Sequence, residues 1–260
     1  MSKAAYTSRW RCLCAYDGTE FKGWQKQPNR KAVQDKIEEV LAEIFDRPIR
    51  TIGAGRTDAG VHAAGQVFHF DAIWNHTSHA LLQALRTYLP AGISVRKVDL
   101  VSNRFHAHIS ARGKRYRYRI CRGWAMPEQD RFVHSMKDRS LNIDAMRDAA
   151  QRFLGTHDFA AFSANRGKGD NEPTIRKLWR MEWKEVGDEL HLTTEGEGYL
   201  YKMVRSMVGA MIDVGLGRMD SSEISEILMT RKRTPRVVSA PAKGLRMEKV
   251  FYRLPKLARN

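Results

Sequence analysis

Apolar residues in this chain change period in a fixed order, from every second position to every third or fourth and back. That succession constrains the fold more than any single motif. Residues 9–16 alternate, with Trp10, Cys12, Cys14 and Tyr16 on one face and Arg11, Leu13 and Ala15 on the other, which predicts a strand. After the turn-like Asp17-Gly18-Thr19, Val33, Ile37, Val40, Leu41 and Ile44 follow helical spacing. Segments 49–55 and 66–71 read as strands, Leu81, Leu82, Leu85, Tyr88 and Leu89 mark a helix, and 94–101 reads as a further strand. The order is β-α-β-β-α-β.

The second half repeats it. A strand over 115–121 precedes a helix carrying Ile143, Met146, Ala150, Phe153 and Leu154, with Gly155 as its stop. Segments 176–186 and 189–194 form a hairpin around Gly187-Asp188. A helix over 200–214 places Leu200, Val204, Met207 and Met211 on one stripe, Asp220 and Glu223 have capping-box spacing before another helix, and 245–252 closes the pattern as a strand. The expected fold is α+β, two pseudo-duplicated β-α-β-β-α-β (RRM/ferredoxin-like) halves with a cleft between or across the sheets. The halves are expected at 1–104 and 105–260, the joint falling within 102–112, and 164–172 is the most loop-like segment.

Among the 260 residues, 45 Lys plus Arg face 29 Asp plus Glu, a net charge of +16. Surface cations release counterions from phosphates, so the excess points to a polyanion and first of all to nucleic acid. A basic membrane-surface protein is the competing class, but no apolar run approaches the roughly 20 residues of a membrane span. No apolar leader follows Met1, and a cytoplasmic location is expected. Cys12, Cys14 and Cys121 form no C-x-x-C pair and read as buried reduced thiols. His106 and His108 lack a carboxylate or thiol at ligand spacing, so no metal is expected.

Chemistry concentrates in Gly53-Ala54-Gly55-Arg56-Thr57-Asp58-Ala59-Gly60-Val61-His62, at the end of an apolar strand. A dinucleotide loop fails because Asp58 stands where its last glycine is required, and a P-loop fails because Val61 replaces the phosphate-binding lysine. Taken alone, Asp58 reads first as a turn residue, which Asp suits by bonding its own backbone. Arg56 is equally a phosphate contact, and His62 a buried ring with a satisfied nitrogen. Flanking glycines raise the functional reading, because they let a substrate backbone approach closely.

The run from Gly55 to His62 resembles the signature of the TruA-type tRNA pseudouridine synthases, and the likeness extends over nearly the whole chain. Tyr16-Asp17-Gly18-Thr19 and Gly23-Trp24-Gln25 resemble the family's N-terminal elements, and Gln66-Val67 with His69-Phe70 its next strand. Phe105-His106-Ala107 resembles the start of its inter-half segment, and Arg115-Tyr116-Arg117-Tyr118 its tyrosine strand. Met203-Val204-Arg205 with Gly209 is similar to its late helix, and Gly244-Leu245 to its final G-L. Two positions depart from it: His108 where arginine is common, and Arg246 where an aromatic is usual.

The resemblance implies a pseudouridine synthase fold with a central RNA-binding cleft, and isomerisation of uridines 38, 39 and 40 in the anticodon stem-loop of tRNA. It makes Asp58 the catalytic residue and Arg205 the charge partner that keeps it ionised. Tyr116 becomes the aromatic partner of the flipped base, Arg56 a group holding the flipped state, and Leu245 a substrate-side residue. Without the resemblance, Arg205 also fits a surface arginine and Tyr116 a core tyrosine. No atom enters or leaves, so no cofactor is implied; a homodimer with tRNA touching both subunits is. A non-catalytic pair of RRM-like halves is the alternative, but segment 114–118 lacks the glycine and phenylalanine pattern of an RNP motif. A pseudouridine synthase for another RNA is the narrower one.

Overall fold

The computed structural model describes residues 7–164 and 173–255, so all but the first residue of the loop-like segment 164–172 lies outside the described residues. Two compact units divide the chain: one holds the residues up to Arg112 together with those from Met247, the other Gly113–Arg246. These limits differ from 1–104 and 105–260. Segment 105–112 is tied to the first unit, where Ala107 N donates to His69 Nδ1 (3.1 Å) and Arg112 N to Phe251 O (2.7 Å).

The first unit contains β1 (Ser8–Tyr16), α1 (Val33–Phe45), β2 (Ile52–Gly53), β3 (His62–Ala72), α2 (Ser78–Tyr88) and β4 (Ile93–Val101). Strand β1 is central and antiparallel to both β3 and β4, with Cys12 opposite Phe68 on one side and Val98 on the other. Its alternation is the one the sequence predicts: Trp10, Cys12, Cys14 and Tyr16 are buried and the residues between them half-buried. The three thiols are free and buried, and burial pushes that of Cys14 up to about 12. Helix α1 turns Val33, Ile37, Val40 and Leu41 inward, and α2 turns Leu81 and Leu85 inward. Trp24 and Phe68 lie 6.0 Å apart in the core, next to Phe70. Each such ring removes roughly 150–250 Å² from water, which at about 25 cal/mol per Å² stabilises the unit by several kcal/mol.

The second unit contains β5 (Gly113–Cys121), α3 (Pro127–Asp130), β6 (His134–Ser135), α4 (Ile143–Gln151), β7 (Gly155–Asp158), β8 (Ile175–Val186), β9 (Glu189–Gly196), α5 (Met203–Gly215) and α6 (Ser221–Thr230). Its strands run in the order β5-β9-β8-β7, all antiparallel, with β6 parallel to β5. The last strand, β10 (Leu245–Phe251), has all but its first two residues in the first unit, beside β3.

Both units are therefore α+β. The first follows the predicted order and also takes in most of β10, the strand expected to close the second half; the second forms the expected α6 and carries α3, β6 and β7 besides. Two boundaries also move. The strand expected over 49–55 shortens to the two residues of β2, paired with His69 and Phe68 of β3, and Gly53 lies against the Trp24 indole. The helix expected from 200 begins at Met203, because Lys202 has a left-handed backbone (φ 58°). The capping box of Asp220 and Glu223 forms as its spacing predicts.

Candidate active site

Asp58 sits half-buried in the loop between β2 and β3, and Arg56 is exposed beside it. The loop is tied down on both sides of the carboxylate. Before it, Gln66 Nε2 donates to Gly55 O (2.9 Å), Trp24 N donates to Thr57 O (3.1 Å), and the buried Thr57 Oγ1 shares a 2.8 Å hydrogen bond with Tyr16 OH. After it, Val61 N donates to Asp58 O (3.1 Å), Gly60 N to Phe21 O (3.3 Å), and His62 Nδ1 accepts from Gly18 N (3.0 Å). Asp17 closes the adjoining turn by accepting from Thr19 N (3.0 Å) and Thr19 Oγ1 (2.6 Å).

The Y-D-G-T and G-W-Q segments thus act on this loop as supports. Sequence reading names them as motifs but misses the roles of Tyr16, Thr57 and Gln66. Their signal is polarity: each places a hydrogen-bonding group in a stretch that is otherwise buried, where an unmade bond is costly.

Tyr116, Arg205 and Leu245 lie in the second unit. Tyr116 is in mid-β5, 6 % exposed, with its ring edge-on to Tyr199 at 5.1 Å. Tyr199 OH is fixed in turn by Thr194 Oγ1 at 3.0 Å. The alternation on β5 is kept: Tyr116, Tyr118 and Ile120 are buried, while Arg115, Arg117 and Arg119 are half-buried. Arg115 pairs with Glu195 (2.8 Å) and Arg119 with Glu189 (2.6 Å). The sequence is basic from Arg112 to Arg122, a run that could line a path for RNA, yet two of its cations are thereby balanced by carboxylates of β9.

Arg205 stands in the first turn of α5 and is held at Ala240: Nε donates to Ala240 O (2.7 Å), and its carbonyl accepts from Ala240 N (2.9 Å). Arg233 braces the same segment, donating to Ser206 Oγ (3.0 Å), Val237 O (2.6 Å) and Ser239 Oγ (3.3 Å). Burial holds the Arg233 pKa below its usual value. Burial likewise raises the Tyr118 hydroxyl, with the Arg205 charge acting against it. Leu245 is buried at the start of β10. The structure therefore groups Asp58 with Arg56 in one unit, and Tyr116, Arg205 and Leu245 in the other. Among the described residues, no cluster of three or more His, Cys, Asp or Glu could hold a metal ion, and no helix is long and apolar enough to cross a membrane.

His69 of β3 is buried, edge-on to His106 (5.0 Å) and Phe105 (6.1 Å). Burial first, then the Arg9 charge, lowers its pKa to about 4, and burial lowers that of His134 similarly to about 4. An unfolded histidine titrates near 6.5, so between these values the unfolded chain binds protons the native chain does not. Stability is full above about pH 6.5 and falls as pH drops toward 4. The urea midpoint is expected to be lower at about pH 5 than at about pH 7, and less so in His69→Asn. An unchanged drop in that variant would assign the effect elsewhere.

A family profile described as "tRNA pseudouridine synthase" matches residues 13–108 and 149–253. The chain is 40 % identical over 247 residues to the "tRNA pseudouridine synthase A" of Brevibacillus brevis, covering 94 % of this chain and 99 % of that one. It is 40 % identical over 250 residues to that of Geobacillus kaustophilus (95 % of each chain). To that of Bacillus subtilis it is 36 % identical over 250 residues (94 % and 99 %).

Proposed function

Because the chain belongs to the tRNA pseudouridine synthase family, an isomerase family, we propose that Asp58 is the carboxylate with which it converts uridines 38, 39 and 40 of the tRNA anticodon stem-loop into pseudouridine. The reaction breaks the bond from ribose C1′ to uracil N1 and makes one from C1′ to C5. C5 gives up its hydrogen and N1 gains one, so the product is an isomer and the balance closes without a co-reactant. An ionised Asp58 serves either as nucleophile or as the base that takes a proton from the sugar. The observation that carries this assignment is the two-sided tethering of the loop. Tyr16, Trp24 and Gln66 hold the residues before Asp58, and Phe21 and Gly18 those after it. A carboxylate held this way reaches its target at little ordering cost.

On this reading the two units are the pseudo-duplicated halves of a pseudouridine synthase fold. Arg205 supplies positive charge to Asp58, Arg56 holds the flipped state, Tyr116 stacks on the extruded base, and Leu245 packs on the substrate side. The working form is a homodimer whose tRNA touches both subunits. The test is release of tritium from a tRNA transcript labelled at uridine C5, in metal-free buffer, with mapping of the modified positions. Release confined to positions 38, 39 and 40 supports the proposal. Absence of release, with tRNA still bound, favours a binding protein or another RNA target.

Removing a stacking surface costs roughly 1–3 kcal/mol per base. Tyr116→Ala is therefore expected to lower kcat about 5- to 150-fold while affinity for tRNA, dominated by phosphates, changes far less. Thermal unfolding of the same variant measures how much of the loss is packing against Tyr199. Wild-type kinetics would leave Tyr116 a core residue only.

A further inference from the structure

We propose that a cationic cavity in the second unit, beside an exposed tryptophan that contacts two of its lining residues, binds a backbone phosphate of the tRNA as a site separate from the reacting residues; the proposal rests on the tRNA substrate inferred above. The cavity has a volume of about 380 Å³, and Arg122, Lys137, Asp138, Arg139 and Ser140 are among its lining residues. Three cations thus face one carboxylate. Asp138 Oδ1 accepts from the neutral Trp124 Nε1 at 3.1 Å and keeps its charge, so the lining carries a net excess of positive charge. Arg122 pairs with Glu185 (2.9 Å), which also receives Arg147 (3.1 Å). Among the described residues, Lys137 and Arg139 have no carboxylate partner; Arg139 Nε reaches only Met136 O (3.3 Å). Two positive charges at one concavity therefore await a counter-charge, and phosphate is the counter-charge that a tRNA brings.

Trp124 decides for RNA over a small anion. The residue is 66 % exposed although its side chain is among the largest apolar groups a protein has. The Lys137 ammonium lies over its ring at 4.9 Å, and Asp138 fixes its indole N–H, so the ring is held open to solvent in one orientation. The backbone beneath is built to keep it there. Lys137 N donates to Gly123 O (3.0 Å), Ser135 Oγ donates to the same oxygen (2.7 Å), and Ala125 N donates to Ser135 Oγ (3.3 Å). An aromatic plane beside unpaired cations is the arrangement that receives a base or ribose together with its phosphate. An acidic peptide would use the cations and leave the ring unemployed.

The experiment compares binding of unmodified tRNA transcript by wild type, the double variant Lys137→Gln with Arg139→Gln, Trp124→Ala, and a control in which Arg30 and Lys97 become Gln. The control carries the same change in net charge, and both its residues are exposed cations of the first unit. Kd is measured against salt concentration. The double variant is expected to bind about tenfold more weakly, with a log–log salt slope shallower by about two. Trp124→Ala is expected to bind more weakly with an unchanged slope, and the control to stay close to wild type. Turnover at saturating tRNA stays at the wild-type rate in all of them. Equal affinities and slopes for the double variant and the control would overturn the proposal, with unchanged melting temperatures confirming that each is folded. Tritium release by wild type reports separately on the proposed reaction: its absence would remove the enzyme assignment without touching the binding result.

Discussion

Asp58→Asn is expected to lower tritium release from C5-labelled tRNA by at least about 10⁴-fold, while Kd for the same tRNA stays within about twofold of wild type. The exchange replaces one carboxylate oxygen by an amide nitrogen and changes almost nothing in size. Tethers through Gly55 O, Thr57 O, Thr57 Oγ1 and the backbone of Asp58 are untouched by the exchange, and they hold the loop in place. What it loses is the charge and the lone pairs that attack carbon or take a proton. Both routes to pseudouridine need the ionised form, so the prediction holds for either. Binding is spared because phosphate contacts dominate it, and removing a negative charge does not weaken the hold on a polyanion. The two assays belong on one preparation with its melting temperature. Turnover near the wild-type rate in a folded Asp58→Asn protein would take the catalytic role away from this residue.

Periodicity made the elements legible wherever one face is buried and the other wet. Strand β1 and the capped helix α6 form as their patterns predict, because burial and capping act within a few residues of sequence. Strand β7 was not legible. Its four residues, Gly155–Asp158, owe their conformation to pairing with β8, where Gly155 lies opposite Leu178. Local pattern holds no record of such a partner. The candidate site divides in the same way. The glycine-flanked acid at Asp58 stands out by composition alone, but Tyr16 gripping Thr57 joins positions 41 apart in sequence. The ion pairs of Arg115 with Glu195 and Arg119 with Glu189 span 80 and 70 positions. A basic run in sequence therefore overstates the charge it presents to RNA. The reverse holds at the cavity beside Trp124, where Arg122, the last of those basic residues, gathers with charges from 137–139, a segment that reads as no motif.

Gly23→Ala is expected to damage catalysis more than its cost in stability explains, because its missing side chain is where the loop of Asp58 passes. Gly23 has φ +88°, a conformation that side chains resist, and a Cβ there would lie 2.5 Å from Thr57 O and 3.1 Å from Asp58 C. The backbone strain alone costs about 1–3 kcal/mol. Relieving the overlap needs more, since the atoms met are backbone and cannot swing aside. Trp24 N donates to Thr57 O on one side, and Val33 N donates to Gly23 O at the start of α1 on the other. Displacement therefore moves Thr57, and Asp58 with it. A shift of about 1 Å at a reacting group costs on the order of 100-fold in rate, and kcat is expected to fall by that much with KM for tRNA little changed. Gly217→Ala is the matched control: φ is +67° there too, yet nothing lies within 4 Å of the added carbon. It bears the backbone strain without crowding, so it is expected to lose stability and keep the wild-type kcat. If the two variants lose similar stability and both turn over at the wild-type rate, then close packing of Gly23 on Thr57 and Asp58 does not set the position of the carboxylate.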